Sequence, residues 1–242
     1  MVIFRGISSV LILLILWQLC VTVFNVPSYI LPTPLNVLFV GYARKSLIAQ
    51  NLYPTILETL LGLLFGCVIG VLVALSMSLL KPVRHWVMPL LLISQALPTF
   101  AIAPLLVIWF GYGIASKIIM TMIMLFFPVT NAFFDGLRNT PREYLDAAHV
   151  MGSTRFRTVM FIRVPAALPS LATGIRLATA IAPIGAVVGE WVGSSRGLGF
   201  LMLNAHARMQ IDLMFACLFV IVLMSLFLYF LVDKMLSYLI RW

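Results

Sequence analysis

The sequence predicts an all-α membrane protein with about six transmembrane helices. Of its 242 residues, 63% are hydrophobic and only 10% are charged, whereas roughly a quarter of the residues in a soluble domain are charged. The apolar residues also form separate runs of about 20 residues, the length that a helix needs to cross a hydrocarbon core of about 30 Å. Because a helix satisfies its own backbone hydrogen bonds in lipid, these runs are expected to be helical.

The predicted spans follow one another along the whole chain. The first run can also be read as a secretory signal, because Arg5 precedes it. However, it is longer than the apolar region of such signals, about 7–15 residues, and no small-residue cleavage site follows it, so we expect a retained helix. Candidate positions for breaks or kinks are Pro98, Pro104 and Pro128. The spans are 7–24, 55–80, 86–109, 115–135, 168–190 and 212–232.

The second span carries small residues at a regular spacing. Gly62, Gly66 and Gly70 are four residues apart and so share one face of a helix. Such small-x-x-x-small patterns allow two membrane helices to approach closely. We therefore expect this face to pack within the subunit, with a role in ligand contact as the alternative.

Charged residues within predicted spans or at their ends include Glu58, Asp135, Arg176 and Glu190. A charge at the centre of a membrane helix costs about 2.5–3.5 kcal/mol on insertion scales, so such residues are expected to face protein or water. Glu58 and Asp135 lie close enough to span ends for their side chains to reach the interface. Arg176 and Glu190 are 14 residues apart, about 21 Å along a helix, and cannot pair within one straight helix. Both are candidate pathway or gate residues, and contact with a neighbouring subunit is the alternative.

The distribution of lysine and arginine predicts the orientation. Cytoplasmic loops carry an excess of these residues, and the excess is found when both termini are placed in the cytoplasm. Arg176 then lies within a span. The cytoplasmic cations are Arg5, Lys81, Arg84, Arg138, Arg142, Arg155, Arg157, Arg163, Lys234 and Arg241, and the outer ones are Arg44, Lys45, Lys117, Arg196 and Arg208.

Several functions are excluded by the composition and the motifs. The net charge of +9 comes from cations scattered at helix ends, without the clustered basic face of a nucleic-acid-binding protein. The cysteines and histidines have no metal-ligand spacing. No nucleotide-binding glycine loop, nucleophile motif or pair of catalytic carboxylates is present. We therefore predict a chain that is no enzyme, carries no metal or cofactor, and depends on a partner for any use of ATP.

A polar, arginine-bearing loop separates the fourth and fifth spans. The sequence TPRE at 140–143 forms a capping box, which predicts a helix with Thr140 as its N-cap. Gly152 fits the position just after the end of this helix. Ser153 is then expected to cap a second short helix, which Pro165 ends.

One face of the first loop helix is apolar and includes two small residues, both alanine. Tyr144, Ala147, Ala148 and Met151 follow the spacing i, i+3, i+4, i+7. A face of this kind allows another protein to approach closely, and the neighbouring arginines can pair with acidic groups on it. The alternative is an amphipathic helix that lies on lipid headgroups. The pattern alone leaves both open.

The loop resembles the EAA loop in the permease subunits of ABC importers. The family pattern has Glu-Ala-Ala, three residues, Gly, nine residues, and then Ile-x-Leu-Pro. In this chain Asp replaces Glu and Val replaces Leu, and the spacing is kept throughout. The matching residues are Asp146, Ala147, Ala148 and Gly152, followed by Ile162, Arg163, Val164 and Pro165.

The resemblance implies that this loop, at about 138–165, docks on a cytoplasmic ATPase and transmits its closure to the membrane helices. The alanines and the glycine would make close contacts there, and Asp146 a polar one. The resemblance also implies the type I ABC importer permease fold in a single domain, 1–242. The residues assigned to coupling on this basis are Asp146, Ala147, Ala148, Gly152, Ile162 and Pro165.

Other stretches resemble the permeases for sulfonates, taurine, nitrate and thiamine-precursor pyrimidines. In this family, the helix expected at about 198–208, after the SSRGLGF turn, shapes the outer gate and receives a binding protein. An interfacial helix without such contacts is the alternative. The resembling stretches are LPTPLNV at 31–37, QALPTFAIAPLLVIWFGYGIASKI at 95–118 and GEWVGSSRGLGFLM at 189–202, and NAHARMQIDLMFA at 204–216 resembles the pyrimidine-precursor branch in particular.

The resemblance also implies the partners. A second copy of the permease, two ATP-binding subunits that hold ATP and Mg, and an extracytoplasmic binding protein would form an importer in the bacterial inner membrane. One subunit encloses too small a path, so the path is expected at a two-fold interface between copies. The expected cargo is a small polar solute, either a thiamine-precursor pyrimidine or a sulfonate, taurine or nitrate. An ion-coupled secondary transporter is the rival class, but its usual internal repeats are not found.

Overall fold

The computed structural model describes the backbone of residues 2–96 and 98–240 and the side chains of residues 11–94 and 98–240. All regular structure in these residues is helical. The side chains of Arg5, Leu97 and Arg241 lie outside the described residues, so the predictions that involve them are not addressed. The elements are α1 (Val2–Val23), α2 (Pro34–Ala43), α3 (Lys45–Leu79), α4 (Lys81–Ala96), α5 (Thr99–Phe110), α6 (Ile114–Arg138), α7 (Arg142–Val150), α8 (Arg155–Thr158), a π-helical segment (Val159–Arg163), α9 (Val164–Gly193), α10 (Leu198–Ala207) and α11 (Ile211–Leu239).

Within the described residues, four helices are long and apolar enough to cross a membrane, namely α3, α6, α11 and the continuous run Arg155–Gly193. The pair Lys81–Ser94 and Thr99–Phe110 makes a fifth span only if the two are taken together, since their axes differ by 106°. The fully described part of α1, Leu11–Val23, is too short to be counted. The all-helical membrane fold is confirmed, whereas the predicted number of six spans is not fully confirmed.

The third predicted span, 86–109, is broken near Pro98. This proline precedes α5 with an extended backbone, φ −66° and ψ 111°. Proline lacks an amide hydrogen and disfavours the helical conformation in the residue before it, so a helix tends to end there. In contrast, Pro104 and Pro128 lie inside α5 and α6.

Helix α3 is much longer than its predicted span. It begins at Lys45 rather than at residue 55 and has 35 residues, which corresponds to about 52 Å. This length exceeds a hydrocarbon core of about 30 Å. Residues predicted to lie at the end of the span, such as Glu58, are therefore well inside the helix.

Helix α6 forms the centre of the subunit, because α3 and α9 pack extensively against it. The predicted glycine ladder faces α6: a Cβ added at Gly62 would overlap Thr121, and one added at Gly70 would lie 3.0 Å from the carbonyl oxygen of Phe126. On the other side, a Cβ at Gly185 of α9 would lie 2.9 Å from Thr121 Cα. The expected packing role of the ladder is confirmed, since only small residues allow this approach.

The outer helices expose many large apolar side chains. Phe39 on α2 is 73% exposed, Ile108 on α5 is 76% exposed and Phe227 on α11 is 71% exposed. Soluble monomeric proteins rarely expose this much apolar surface. These surfaces fit contact with lipid or with another protein subunit.

Candidate functional site

The polar loop between α6 and α9 begins with α7. The residue before the helix is Pro141, with φ −52° and ψ 140°, and no side chain caps the helix. Thr140 is not the N-cap, contrary to prediction, because its hydroxyl donates to the carbonyl of Leu137 at 3.2 Å instead. Helix α7 therefore starts one residue later than the capping box predicts.

A tight glycine turn ends α7. Gly152 has φ +68°, in the left-handed region. Its amide donates to the His149 carbonyl at 2.9 Å, and the Ser153 amide donates to the Ala148 carbonyl at 2.9 Å. These two bonds define a Schellman motif. The prediction that Gly152 stops the helix is confirmed.

The second loop helix differs from the prediction at both ends. Thr154 caps α8 rather than Ser153, since its hydroxyl accepts a bond from the Arg157 amide at 3.4 Å. Pro165 does not end the helix, because the chain runs through the π-helical segment into α9 without a break. A π-helical turn leaves one backbone pairing unmade, so a residue without an N–H is tolerated beside it.

The two alanines of α7 differ in exposure. Ala148 is only 3% exposed and is buried within the subunit, whereas Ala147 and Asp146 are exposed. Consecutive residues on a helix are about 100° apart, so both alanines need not face a partner. The predicted placement of Ala148 on the outward face is wrong. The outward face carries Tyr144, Ala147, Val150 and Met151.

The loop is attached to the end of α3. The Nη2 atom of Arg155 donates to the carbonyl oxygen of Ser78 at 3.0 Å. Farther along, Ile162 is half-buried and Pro165 is exposed. The segment that follows the Gly152 turn is therefore joined to α3 through Arg155 and is continuous with α9.

At the other end of the subunit, Glu190 fixes the start of α10. Its carboxylate accepts a hydrogen bond from the Thr55 hydroxyl at 2.5 Å and one from the Gly199 amide at 2.5 Å. The Thr55 hydroxyl in turn accepts from the Leu198 amide at 2.9 Å. A carboxylate at a helix N-terminus satisfies amides that lack helical partners. Glu190 is fully buried, so it does not contact a solute in this state.

Two further charges lie beside Glu190. Lys117 was predicted to be an outer cation, but it is 3% exposed, and its Nζ donates to the carbonyls of Tyr112 at 2.7 Å and Gly193 at 2.8 Å. Glu58 is also 3% exposed and interacts electrostatically with Glu190 and Lys117. The interpretation that Glu58 reaches the interface is wrong, because α3 starts earlier than predicted. These three residues form the Glu190 cluster.

The sequence contained a signal for part of this cluster. Asn51, Thr55 and Glu58 follow the spacing i, i+4, i+7 and so share a face of α3. Asn51 Oδ1 accepts from the Gly197 amide at 3.0 Å. This polar face was missed because residues 45–54, which include Asn51, were not assigned to a helical span.

Arg176 has a partner inside the subunit. Its Nε lies 2.6 Å from Asp233 Oδ1 on α11, and its Nη2 is 3.3 Å from the Ser237 hydroxyl. The two charged side chains are 30% and 39% exposed. Arg176 therefore joins α9 to α11. Asp135 is exposed near the end of α6, as expected.

A pocket of about 670 Å³ lies beside α10, at the end of the subunit that holds the Glu190 cluster. It combines amide, aromatic and cationic groups. Among the described residues, no group of three or more metal-ligating side chains is present here or elsewhere. The pocket is lined by residues that include Gln50, Asn51, Arg196, Phe200, Asn204 and Arg208.

We expect Gly197→Ala to destabilise the protein strongly. Gly197 has φ +116°, and an added Cβ would overlap the Glu190 carboxyl. Backbone strain and overpacking together are expected to cost about 3 kcal/mol. The measurement is thermal unfolding of the purified protein in detergent. Gly113→Ala is the matched control, because Gly113 has φ −72° and no atom within 4 Å of an added Cβ. Equal unfolding temperatures for the two variants would contradict this role of Glu190.

Comparison with known proteins gives a consistent result. Residues 62–242 match the family described as the inner membrane component of binding-protein-dependent transport systems. A probable ABC transporter permease of Haemophilus influenzae is 51% identical over 225 residues, which cover 93% of this chain and 92% of that protein.

Two further relatives have named substrates. The formylaminopyrimidine transport permease ThiX of Halalkalibacterium halodurans is 34% identical over 233 residues, 96% of this chain and 93% of that protein. The riboflavin transport permease RibX of Chloroflexus aurantiacus is 34% identical over 238 residues, 97% of this chain and 88% of that protein.

The fold is also similar to a solved structure. A chain of the inward-facing MetNI methionine ABC transporter superimposes with a TM-score of 0.71 at 19% sequence identity. The superposition covers 81% of this chain and 97% of that chain. At this identity the similarity shows a shared fold.

Proposed function

The chain belongs to the family of inner membrane components of binding-protein-dependent transport systems, and we propose that it carries a thiamine-precursor pyrimidine into the cell. It is a permease subunit of an ABC importer with the type I fold, and it is not an enzyme. The rival class of ion-coupled secondary transporter is therefore set aside. The cargo, the partner subunits and the orientation in the membrane are the parts that we propose.

The geometry of α7 is the main support for the proposal that this loop couples an ATPase to the membrane spans. The helix ends in a Schellman turn at Gly152. The segment after this turn is fixed to α3 by Arg155 and continues from α8 into α9. The outward face of α7 has small and apolar residues, Ala147 among them. We propose that an ATPase seats on this face, so that ATP-driven closure of two ATPases moves α7 and, through it, the spans.

The proposed assembly contains two permease copies around the path. Exposed apolar surfaces on the outer helices support contact with lipid and with a second copy. The excess of arginine and lysine on the side of α7 supports a cytoplasmic position for this loop and for both termini. The ATP and Mg belong to the partner ATPases, and an extracytoplasmic binding protein delivers the cargo near α10.

The candidate pathway residues act on the gate indirectly in this proposal. Glu190 holds the start of α10 against α3, and Arg176 holds α9 against α11. Opening of the outer end would then move α10 together with these contacts. The two residues set the position of the gate rather than line the path.

The choice of a pyrimidine rests on the relatives and on the outer pocket. Two relatives at 34% identity are named for formylaminopyrimidine and riboflavin, and both compounds contain nitrogen heteroaromatic rings. The pocket offers an aromatic ring, Phe200, and the side-chain amides of Gln50 and Asn204. Amide groups can both donate and accept hydrogen bonds, which suits ring nitrogens and amino groups.

The alternative cargo is an anion such as a sulfonate, taurine or nitrate. Arg196 and Arg208 line the same pocket, and guanidinium groups bind oxyanions well. An aliphatic sulfonate permease of Bacillus subtilis is 29% identical to this chain over 214 residues. This alternative makes a different prediction for the two arginines.

Competition for uptake distinguishes the two cargoes. Cells that express the importer are given labelled formylaminopyrimidine with excess unlabelled pyrimidine, taurine or nitrate, and the purified binding protein is titrated with the same compounds. We expect only the pyrimidine to compete and to bind. The variant Arg196→Gln/Arg208→Gln is expected to keep pyrimidine uptake, since the cargo is neutral. Selective binding of taurine or nitrate, with loss of its uptake in the variant, would overturn the pyrimidine assignment.

A further inference from the structure

A second pocket lies at the opposite end of the subunit, beside the loop that carries α7. Its volume is about 450 Å³. It lies where the end of α3, the start of α4, the end of α6 and the π-helical segment meet. No acidic side chain is found among the described residues that line it. This basic pocket is lined by Lys81, Arg84, Arg138, Arg155 and Arg163.

Three of these cations have no carboxylate partner among the described residues. Arg155 donates to the Ser78 carbonyl at 3.0 Å, and the Arg84 guanidinium lies 5.3 Å from the centre of the Phe134 ring. The Nε of Arg163 is shielded from solvent and has no hydrogen-bond partner there. Unpaired guanidinium groups at close range repel one another, so an anion with several oxygen atoms would stabilise the pocket.

The surroundings of the pocket indicate which anion fits. Met77 and Phe134, which are 1% and 4% exposed, also line it. Just beyond it, α4 exposes Trp86 and Leu90, which are 77% and 62% exposed. Tryptophan is common at the membrane interface, at the level of the headgroups. The pocket itself is thus cationic, and the exposed surface of α4 next to it is apolar.

We propose that the basic pocket binds the phosphate of an anionic phospholipid. The lipid phosphate bridges Arg84 on α4 and Arg138 on α6 to the segment that carries Arg155 and Arg163, while its acyl chains lie along the exposed face of α4. Basic pockets between membrane helices bind such headgroups in other proteins. The site goes beyond the transport function, since it does not depend on the cargo or on the ATPase.

Native mass spectrometry of the full-length chain tests the proposal. The detergent-purified protein is titrated with phosphatidylglycerol, and the bound fraction is compared between the wild type and Arg84→Gln/Arg138→Gln. Both side chains are exposed, so the variant is expected to fold. The loss of two cations is expected to weaken lipid binding roughly 30-fold. The matched control is Arg44→Gln/Lys234→Gln, which removes the same charge outside the pocket and should bind as the wild type does.

Each other outcome would overturn the proposal. Equal weakening in both variants would mean general charge attraction, and unchanged binding would mean that the lipid lies elsewhere. Displacement of the lipid by millimolar inorganic phosphate would identify a site for free phosphate. Unchanged lipid binding with loss of ATPase association would assign the pocket to acidic residues of that partner. A failed pyrimidine assignment would leave the lipid result unaffected, which separates the two proposals.

Discussion

The variant Gly152→Val is expected to abolish ATP-driven uptake while the protein still inserts and folds in the membrane. Gly152 has φ +68°, where a side chain costs roughly 1–2 kcal/mol, and a β-branched residue is the least tolerated. No atom lies within 4 Å of an added Cβ, so the effect comes from the backbone and not from a clash. Relief of this strain rearranges the turn and moves α7 relative to α8. Uptake and ATPase co-purification are the measurements.

Two variants control for the change in side chain. Gly152→Asn should keep most of the uptake, because asparagine adopts the left-handed conformation far more readily than valine does. Gly113→Val adds the same side chain where φ is −72° and the space is open, and it should transport normally. Normal uptake by Gly152→Val would show that this turn is not the coupling joint.

Enlargement of Ala147 is expected to remove the ATPase from the complex. Ala147 is exposed on α7 beside Tyr144 and Met151, and a phenylalanine there would have no room at a closely packed interface. If α7 instead lies on lipid headgroups, Ala147→Phe adds apolar contact with the membrane and should be tolerated. Co-purification of the ATPase with Ala147→Phe distinguishes a docking face for the ATPase from a face that lies on lipid.

Ala148→Phe provides the contrast. Because Ala148 is 3% exposed inside the subunit, enlargement should lower the unfolding temperature of the permease itself, with a cost of about 1–3 kcal/mol. Ala147→Phe should leave that temperature unchanged. A stable Ala147→Phe variant that retains its ATPase would contradict the proposed docking face.

Local patterns predicted the turn at Gly152 and the glycine ladder of α3 correctly. Both depend on short spacings: a glycine after the last helical residue, and small residues on one face. The continuity of α8 with α9 was missed because the π-helical segment, which accommodates Pro165, has no simple sequence signature. The break near Pro98 was anticipated as a candidate, but a sequence alone does not distinguish it from Pro104, which lies inside a helix.

Contacts between residues far apart in the chain were the main features that the sequence did not predict. Thr55 and Glu190 are 135 residues apart in the chain, so no periodicity links them, and Arg176 meets Asp233 across two helices. The placement of Ala148 failed for a related reason, since α7 packs on its own subunit at an angle that its sequence does not specify. Burial of Lys117 followed from the meeting of α6 and α9, whereas its place near the start of the predicted span 115–135 indicated a cation close to the outer surface.

Thiol labelling at position 147 tests the central claim most directly, which is that the outward face of α7 is cytoplasmic and is covered by an ATPase. Ala147→Cys is placed in a chain whose native cysteines, Cys20, Cys67 and Cys217, are replaced by alanine. We expect reaction with a membrane-impermeant maleimide in inside-out vesicles stripped of the ATPase, protection when the ATPase is added back, and no reaction in intact cells. Labelling in intact cells would contradict the orientation, and labelling that the ATPase does not change would contradict the docking face.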